Sequence, residues 1–559
     1  MKLTEERYTW VWLVAAMVIS AVTALWFGRQ TTFWVDDVTL FMLSPSFDLK
    51  TAFEPHLGHL VLVPHVVYKT FFELFGASYF PFRLLTVIFL MITTWLLFVW
   101  VRRRLGGFAA LGPCVLMLFF GADYFHIITG NGWGLLLAIS CGVGAFLAIE
   151  RGDRRGDAIA CGLLCLGVAT YSVALGFLAG AALWLVLGRQ RRRLWVVAIP
   201  AALYLVWWTW TKTLPPSPEG NFHLENIVLL PAWGFQTLSA MLQAASGLSY
   251  QYEGGNPAPS VGPVLAIGVL AAIGLRLLVG RVTPALWGAL GAVVGLWALG
   301  AVTAGGIRFP ENPRYFIPLF AALVLVFAES YRGRRVGRNG LIALYVVFGL
   351  AVGVNFFVLR DGGVSLRAEN TPIVRASLSA FEIAGPSAQS RFELVHPDGT
   401  PAIEQGGIGV PIRILEAQGR SPARSYEEAV ARYGRIGFSE DELAGQPDVV
   451  GATTDALLAE AEGVKLEPAP ARAGLKGCDS GTATDGIPAV LHVPEGGAWL
   501  ELRGAAADLT LGRFAGVENV PLGTASASTP LALKIPEDRS AVPWRIAAPA
   551  GTLIVCPLR

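Results

Sequence analysis

Asp36 and Asp37 stand side by side just past an apolar run from about Tyr8 to Gly28. A run of ~20 apolar residues is long enough to cross a bilayer, so the pair falls at a membrane face, within Phe33-Trp34-Val35-Asp36-Asp37-Val38. Ionisable groups this close to hydrocarbon are costly to keep, which makes them candidates for function. Such a pair can take the proton from a sugar hydroxyl, or it can hold a cation, a divalent one included. Adjacent carboxylates repel unless a cation or an arginine lies between them. A solvated loop turn is the plain alternative.

Cations that could face those acids come from several places. Arg308 and Arg314 share one short loop, Ile307-Arg308-Phe309-Pro310-Glu311-Asn312-Pro313-Arg314-Tyr315, which its prolines stiffen. Two guanidinium groups held at a membrane surface suit a phosphate; snorkelling to lipid headgroups is the other use of an interfacial arginine. Lys69, Arg83 and Lys212 are further cations of the same face. His56 and His59 lie at i, i+3 beside Glu54, a spacing that can bind zinc on a helix. No further ligand accompanies them, so no metal is assigned. His65 sits on an apolar face and reads as packed or interfacial. Asp123, His126 and Asn131 flank the next turn on that side, where they could line the same cavity. Trp26, Trp34 and the run Trp207-Trp208-Thr209-Trp210 read first as an interfacial aromatic belt. The absence of a Walker-type loop or a nucleotide fingerprint argues against an ATP or nucleotide-sugar site.

The elements that must position these groups are membrane helices. Of 559 residues, 54% are hydrophobic and only 15% charged, and mean hydropathy is +0.54, far from the roughly 25% charge of a soluble domain. A net charge of +2 gives no field that would favour nucleic acid. Eleven spans are expected near 8–28, 82–101, 108–127, 132–149, 157–170, 172–188, 194–212, 261–280, 284–304, 315–331 and 338–359. The first apolar run is too long for a cleaved signal peptide and reads as a retained helix. Residues 157–188 fit either a tight hairpin around Thr170-Tyr171-Ser172 or one long helix. Charge favours the hairpin. It puts Arg102–Arg104, Arg151 with Arg154 and Arg155, Arg189 with Arg191–Arg193, Arg281, and Arg332 with Arg334, Arg335 and Arg338 all on the side of the N-terminus, which the positive-inside rule makes cytoplasmic. The acid pair, the outer loops 29–81, 213–260 and 305–314, and the tail then lie outside. Residues 57–75 and Ile227–Leu248 read as helices lying in the interface plane or as linker helices packed on the bundle.

The tail changes character. Residues 361–463 mix short helical patterns, such as Tyr426–Tyr433, with Gly and Pro turns. Residues 464–559 alternate apolar and polar positions, as in Ala489–Val493, Ala498–Leu502, Leu509–Leu511 and Thr552–Val555, the pattern of a small β-sandwich. Trp499 and Trp544 are either core or a glycan-stacking surface. Cys114, Cys141, Cys161 and Cys165 lie in apolar runs and pack as small hydrophobes. Cys478 and Cys556 are a candidate disulfide in an extracytoplasmic tail.

The order of the motifs carries a resemblance. The acid pair is followed by Gly58-His59-Leu60, Leu74-Phe75-Gly76, Phe82-Arg83-Leu84 opening a span, Arg103-Arg104-Leu105-Gly106 closing it, and later Pro313-Arg314-Tyr315. This layout, over about residues 8–360, resembles the GT-C superfamily of integral-membrane glycosyltransferases, which includes protein O-mannosyltransferases, aminoarabinose transferases and arabinofuranosyltransferases. The resemblance implies a polyprenyl-phosphate sugar donor and a cell-envelope acceptor (glycan, lipid or protein) on the outer face of the cytoplasmic membrane. It implies Asp36 as general base, with Asp37 at a following acidic position that is often Glu in relatives. It also implies His59 and Arg314, with Tyr315 beside it, at the donor phosphate or the acceptor. A general base suits an inverting transfer through an oxocarbenium-like centre. A transporter or lipid-sugar flippase whose acids bind a coupling cation is the rival reading, and a non-catalytic glycan-binding scaffold the third. Transporters place charge near the midplane and show two related halves, and neither is visible here.

Overall fold

The computed structural model describes residues 2–33, 37, 40, 51–56, 58–75, 78–214, 223–248, 261–280, 282–304, 308–334, 336–367, 464–470, 476–484, 488–494, 496–512, 520–535 and 544–558, with backbone alone for 2–7. The chain divides into two compact units, residues 1–31 with 47–367, and residues 32–46 with 368–559.

The first unit is helical: α1 (Lys2–Phe27), α2 (Leu62–Phe75), α3 (Phe80–Leu105), α4 (Gly107–Leu118), α5 (Tyr124–Ile128), α6 (Gly132–Glu150), α7 (Arg154–Thr170), α8 (Ala174–Leu187), α9 (Trp195–Thr211), α10 (Leu230–Ser246), α11 (Gly262–Val279), α12 (Pro284–Val302), α13 (Phe316–Ser330) and α14 (Arg338–Ser365). Among the described residues, nine helical stretches are long and apolar enough to cross a membrane, against the eleven spans expected. Each expected span does hold a helix, but α7, α8 and α9 have only 17, 14 and 17 residues. The ninth stretch, Leu224–Ser246, falls where an interfacial helix was expected.

Charge collects at one end of this unit. Arg104, at the end of α3, bonds to Glu329 at the end of α13 and, at 3.0 Å, to Glu150 at the end of α6. Arg332 reaches Glu329 at 3.2 Å. Thr283, which caps α12, donates to the other oxygen of Glu329 at 3.0 Å. Arg193, just before α9, pairs with Asp157 in the first turn of α7 at 2.5 Å. The arginine clusters of four loops therefore share one end, as the hairpin reading of 157–188 requires. The hairpin itself is present: Tyr171 turns to an extended conformation (φ −159°, ψ 142°) and separates α7 from α8.

The opposite end is built differently. Trp233 near the start of α10 stands edge-on to Tyr315 at 5.8 Å, just before α13. At the other end of α10, Ala244 and Ala245 accept hydrogen bonds from Asn355 of α14, whose side-chain oxygen accepts from the Gly121 amide beyond α4. Both ends of α10 thus meet elements at the far end of the bundle, so the helix runs across that end more than along it. The α2 helix fills the expected amphipathic stretch. It buries Pro64, His65 and Tyr68, exposes Val66, Leu74 and Phe75, and stacks Tyr68 on Phe82 at 4.5 Å.

The tightest helix pair is α8 against α12. A Cβ added to Gly180 would come within 2.4 Å of the Gly288 carbonyl, and one on Gly295 within 3.0 Å of the Gly176 Cα. Small residues let these backbones approach, the usual device where packing rather than water exclusion drives helix association in a membrane.

In the second unit, β1 (Lys465–Pro468), β7 (Leu531–Lys534), β4 (Gly497–Arg503), β9 (Thr552–Pro557) and β2 (Asp479–Thr482) form one sheet, in that spatial order. The strands β3 (Ala489–His492), β8 (Arg545–Ala548), β5 (Ala507–Gly512) and β6 (Val520–Ala525) form the other. Every pairing is antiparallel. Leu500, Leu502, Leu509, Ile546, Leu553 and Val555 fill the space between the sheets. The alternating runs of the sequence are strands β3, β4, β5 and β9. Trp499 and Trp544 are buried rather than on a stacking surface: Trp544 joins the core between the sheets, and Trp499, on the other face of β4 from Leu500 and Leu502, donates its indole N–H to the Pro470 carbonyl. Cys478 and Cys556 form a disulfide. Helix α14 continues past the expected boundary at 360, and residues 368–463, Tyr426–Tyr433 among them, lie outside the described residues.

Candidate functional site

A partly enclosed cavity of about 60 Å³ opens at the end of the helical unit away from the ion pairs. Four of the residues singled out in the sequence line it: His59, Arg308, Arg314 and Tyr315. Each arrives by a separate local device. His56 and His59 hydrogen-bond each other's backbones at 3.1 and 2.8 Å across a turn that Gly58 makes possible with φ +77°. This projects the His59 ring, whose Nδ1 lies 2.7 Å from Ser172 Oγ and whose face stacks on Tyr171 at 5.7 Å. Tyr171 and Ser172 form the turn between α7 and α8. On the opposite wall, the Asn312 side chain accepts from the Arg314 amide at 3.2 Å. That cap starts the turn Pro313–Tyr315 that enters α13. The guanidinium carbon of Arg314 lies 5.5 Å from the centre of the Tyr315 ring.

Apolar and aromatic groups close the walls. Trp233 and Thr237 come from α10, and Trp297 and Thr303 from the end of α12. The Trp297 Nε1–H is buried without a partner among the described residues. None of the described lining residues is acidic. Two arginines, a histidine, hydroxyls and an indole N–H thus converge on a partly enclosed space, an arrangement that stabilises an anion with hydrogen-bonding neighbours.

A second groove, of about 380 Å³, lies between α3, α4, α10, α13 and α14. Its lining is apolar except for Ser246, and includes Val101, Met241, Phe320, Phe327 and Phe348. Two pairs of neighbouring residues straddle cavity and groove. Thr237 and Met241 are one turn apart on α10, and Leu319 and Phe320 are adjacent on α13; the first of each pair lines the cavity and the second the groove.

Other sequence candidates lie elsewhere. Arg83 donates to the Leu25 carbonyl at the end of α1, and Arg367 does the same at Phe27. These two cations cap a helix C-terminus, where positive charge is favoured. Lys69 does not line the cavity, and Lys212 stands over Trp208 at 4.8 Å. His126 Nδ1 and Asp123 Oδ1 form a buried pair at 2.6 Å. Asn131, beside them, accepts no role in the cavity wall; its amide donates to Thr129 Oγ1 at 3.3 Å. His65 Nδ1 donates to the Ala52 carbonyl at 2.8 Å. Trp207 is buried with its indole N–H on the Phe53 carbonyl at 2.8 Å; it packs inward instead of joining an aromatic belt. Among the described residues no group of three or more His, Cys, Asp or Glu side chains could hold a metal. Asp36 and Trp34 lie outside the described residues, and Asp37 is wholly buried.

Sequence reasoning passed over Ser172, Thr237, Trp297 and Thr303. Ser172 carried one signal, a polar turn interrupting an apolar run. Trp297 carried none, because α12 is apolar along its whole length.

No protein-family model and no curated protein matches the chain. Solved structures similar to it include the following two. The crystal structure of ArnT from Cupriavidus metallidurans bound to undecaprenyl phosphate is 14% identical, with a TM-score of 0.44 over 74% of this chain and 89% of that one. The cryo-EM structure of the arabinosyltransferase EmbB from Mycobacterium smegmatis is 12% identical, with a TM-score of 0.30 over 97% of this chain and 64% of that one.

Proposed function

We propose that this chain is a membrane glycosyltransferase. It moves a sugar from a polyprenyl phosphate to a cell-envelope acceptor at the outer face of the cytoplasmic membrane. The observation that carries this reading is the meeting of His59, Arg308, Arg314 and Tyr315, far apart in sequence, around one cavity with no described carboxylate. A departing lipid phosphate needs such donors. The adjoining apolar groove suits the lipid chain, and the tryptophan walls suit a sugar ring. Asp36 serves as the base that takes the acceptor's proton as the new glycosidic bond forms and the bond to phosphate breaks. The disulfide belongs in an oxidising compartment, in keeping with a cytoplasmic N-terminus and an extracytoplasmic tail.

The test is incubation of purified protein with a panel of synthetic polyprenyl-phosphate sugars and candidate acceptors, with released lipid phosphate as the readout. Turnover with at least one donor, lost in Asp36→Asn while donor binding persists, is expected. Movement of the lipid sugar across vesicles without any product would overturn the reading in favour of a flippase.

A further inference from the structure

We propose that Arg29, Arg83 and Arg367 form a second anion site, at the C-terminal end of α1, which holds the phosphate of an anionic phospholipid of the adjoining leaflet. The site stands apart from sugar transfer: none of the three arginines lines the cavity or the groove. Each comes from a different part of the chain and donates to a different carbonyl of the last turn of α1. Arg83 donates to Leu25, Arg29 to Trp26 at 3.0 Å, and Arg367 to Phe27. Thr31 Oγ1 donates to the next carbonyl, Gly28, at 2.7 Å. A Cβ on Gly28 would come within 2.2 Å of the Ile128 carbonyl and 3.0 Å of Arg83 Nε, so glycine leaves the room that this guanidinium occupies. A helix end carries only about half a negative charge, and three guanidinium groups exceed it. Each has five N–H donors, of which the cap uses one. The Nε–H of Arg83, a buried residue, has no partner among the described residues. Among those residues no carboxylate forms an ion pair with any of the three. Burial, and then repulsion from Arg29, push the Arg367 guanidinium below its ordinary value, as happens where like charges meet without a counter-ion. Arginines collect on the cytoplasmic side of membrane proteins, yet Arg83 opens α3, whose other end carries Arg104 of the ion-pair cluster.

The surface of α1 indicates what brings the anion. Val14, Val18, Val22 and Trp26 are exposed, while Leu13, Ser20 and Ala24 are buried. Residues four apart share one face of a helix, so the first four make a single apolar stripe. From Val14 to Trp26 the helix rises about 18 Å, close to half of the ~30 Å hydrocarbon core. The stripe ends at Trp26, over whose ring the Arg29 guanidinium stands at 4.0 Å. A lipid chain laid along the stripe therefore brings its headgroup phosphate to Arg29 and to the helix end that Arg367 caps, with the charge of the buried Arg83 close by. Free phosphate would leave the stripe uncovered, and a choline headgroup would add a cation to three guanidinium groups.

The experiment places the photoreactive residue p-benzoylphenylalanine at Val22, on the stripe, in the full-length protein in neutral lipid vesicles. The vesicles carry a small, equal mole fraction of radiolabelled phosphatidylglycerol or of phosphatidylcholine with the same chains, and the readout is the label captured on illumination. No turnover is required. Phosphatidylglycerol should be captured about tenfold more than phosphatidylcholine, the worth of one charge-assisted hydrogen bond. Equal capture of the two lipids overturns the proposal without recourse to any variant. Arg29→Gln, with or without Arg367→Gln, should bring phosphatidylglycerol down toward the level of phosphatidylcholine. Arg102→Gln, which removes an arginine over Trp10 nearer the other end of α1, should not. Capture unchanged in Arg29→Gln, or lowered as much in Arg102→Gln, also overturns it. Inorganic phosphate is the competing probe. If it abolishes capture at millimolar concentration, the occupant is free phosphate and the assignment to a lipid is overturned; no competition is expected.

Discussion

Arg104 and Glu329 lie 225 positions apart in the chain and bond to each other in the interior of the helical unit, with side chains 1% and 0% exposed. Around them, Arg104 also donates to Glu150 and the Trp100 carbonyl, and Thr283 and Arg332 satisfy the remaining oxygen of Glu329. Removing one member of a buried, fully partnered pair leaves an uncompensated charge, which typically costs 3–5 kcal/mol. Glu329→Gln should therefore lower thermal stability sharply, measured as unfolding temperature in detergent. Arg103→Gln, at an exposed arginine of the same cluster, should change it little.

His65 gives the protein an acid sensitivity whose sign can be worked out. Burial, opposed by the Ala52 carbonyl and aided by nearby His56, depresses the imidazole from 6.5 to about 4. Between those values the unfolded chain binds more protons than the folded one, so stability falls as pH falls. The contribution is present in full above pH 6.5 and is lost on going down to about 4. It amounts to about 3 kcal/mol. His65→Asn keeps a donor for Ala52 but does not titrate. Its unfolding temperature should be flatter than that of wild type between pH 7 and 4.5.

The two arginines of the cavity should differ from the two that cap α1. Arg314→Gln should reduce turnover about 100-fold, and Arg308→Gln about tenfold, because charge-assisted donors to a leaving phosphate act mostly in the transition state. Arg83→Gln should instead lower stability with a smaller effect on turnover of the folded fraction. Steady-state rates, normalised to protein that remains monodisperse, separate these outcomes.

Trp297→Phe keeps the aromatic wall and removes the unpartnered N–H. If a bound sugar or phosphate accepts that hydrogen bond, the Michaelis constant for the lipid-linked donor should rise about fivefold, equivalent to about 1 kcal/mol. The unfolding temperature should stay within a degree or two.

The Cys478–Cys556 bridge closes 78 positions of chain, for which chain entropy gives about 4.5 kcal/mol. Replacing both cysteines by serine should lower the unfolding temperature of the β-unit and expose it to protease, followed by limited digestion of the full-length protein.

Much of this was legible in the residues, unevenly. Span positions followed from apolar runs, because a bilayer imposes the same length on every helix. Strands β3, β4, β5 and β9 followed from alternation, because a sheet with one buried face has a period of two. The number of spanning helices was less legible. The 14 residues of α8 look like a span by composition, and only their partners decide how far they reach. Arg308 and Arg314 could be read as candidate site residues because prolines stiffen their loop and Arg314 falls in the Pro313-Arg314-Tyr315 motif. Arg83 could not be told from them, since a guanidinium that caps a helix and one that faces a ligand have the same sequence signature. Thr237 and Trp297 were invisible, as their roles depend on α10 lying across the bundle, a tertiary fact without a local pattern.

The glycine contacts between α8 and α12 bear on the hairpin turn as well. With backbones in mutual contact at Gly176, Gly180, Gly288 and Gly295, neither helix can slide lengthwise without parting the seam. The seam works as a splint: it sets the height at which Tyr171 and Ser172 begin. Bulk added deep in the bundle, such as Gly180→Val, would then be felt about two helical turns away, as a histidine ring that no longer has its counterpart.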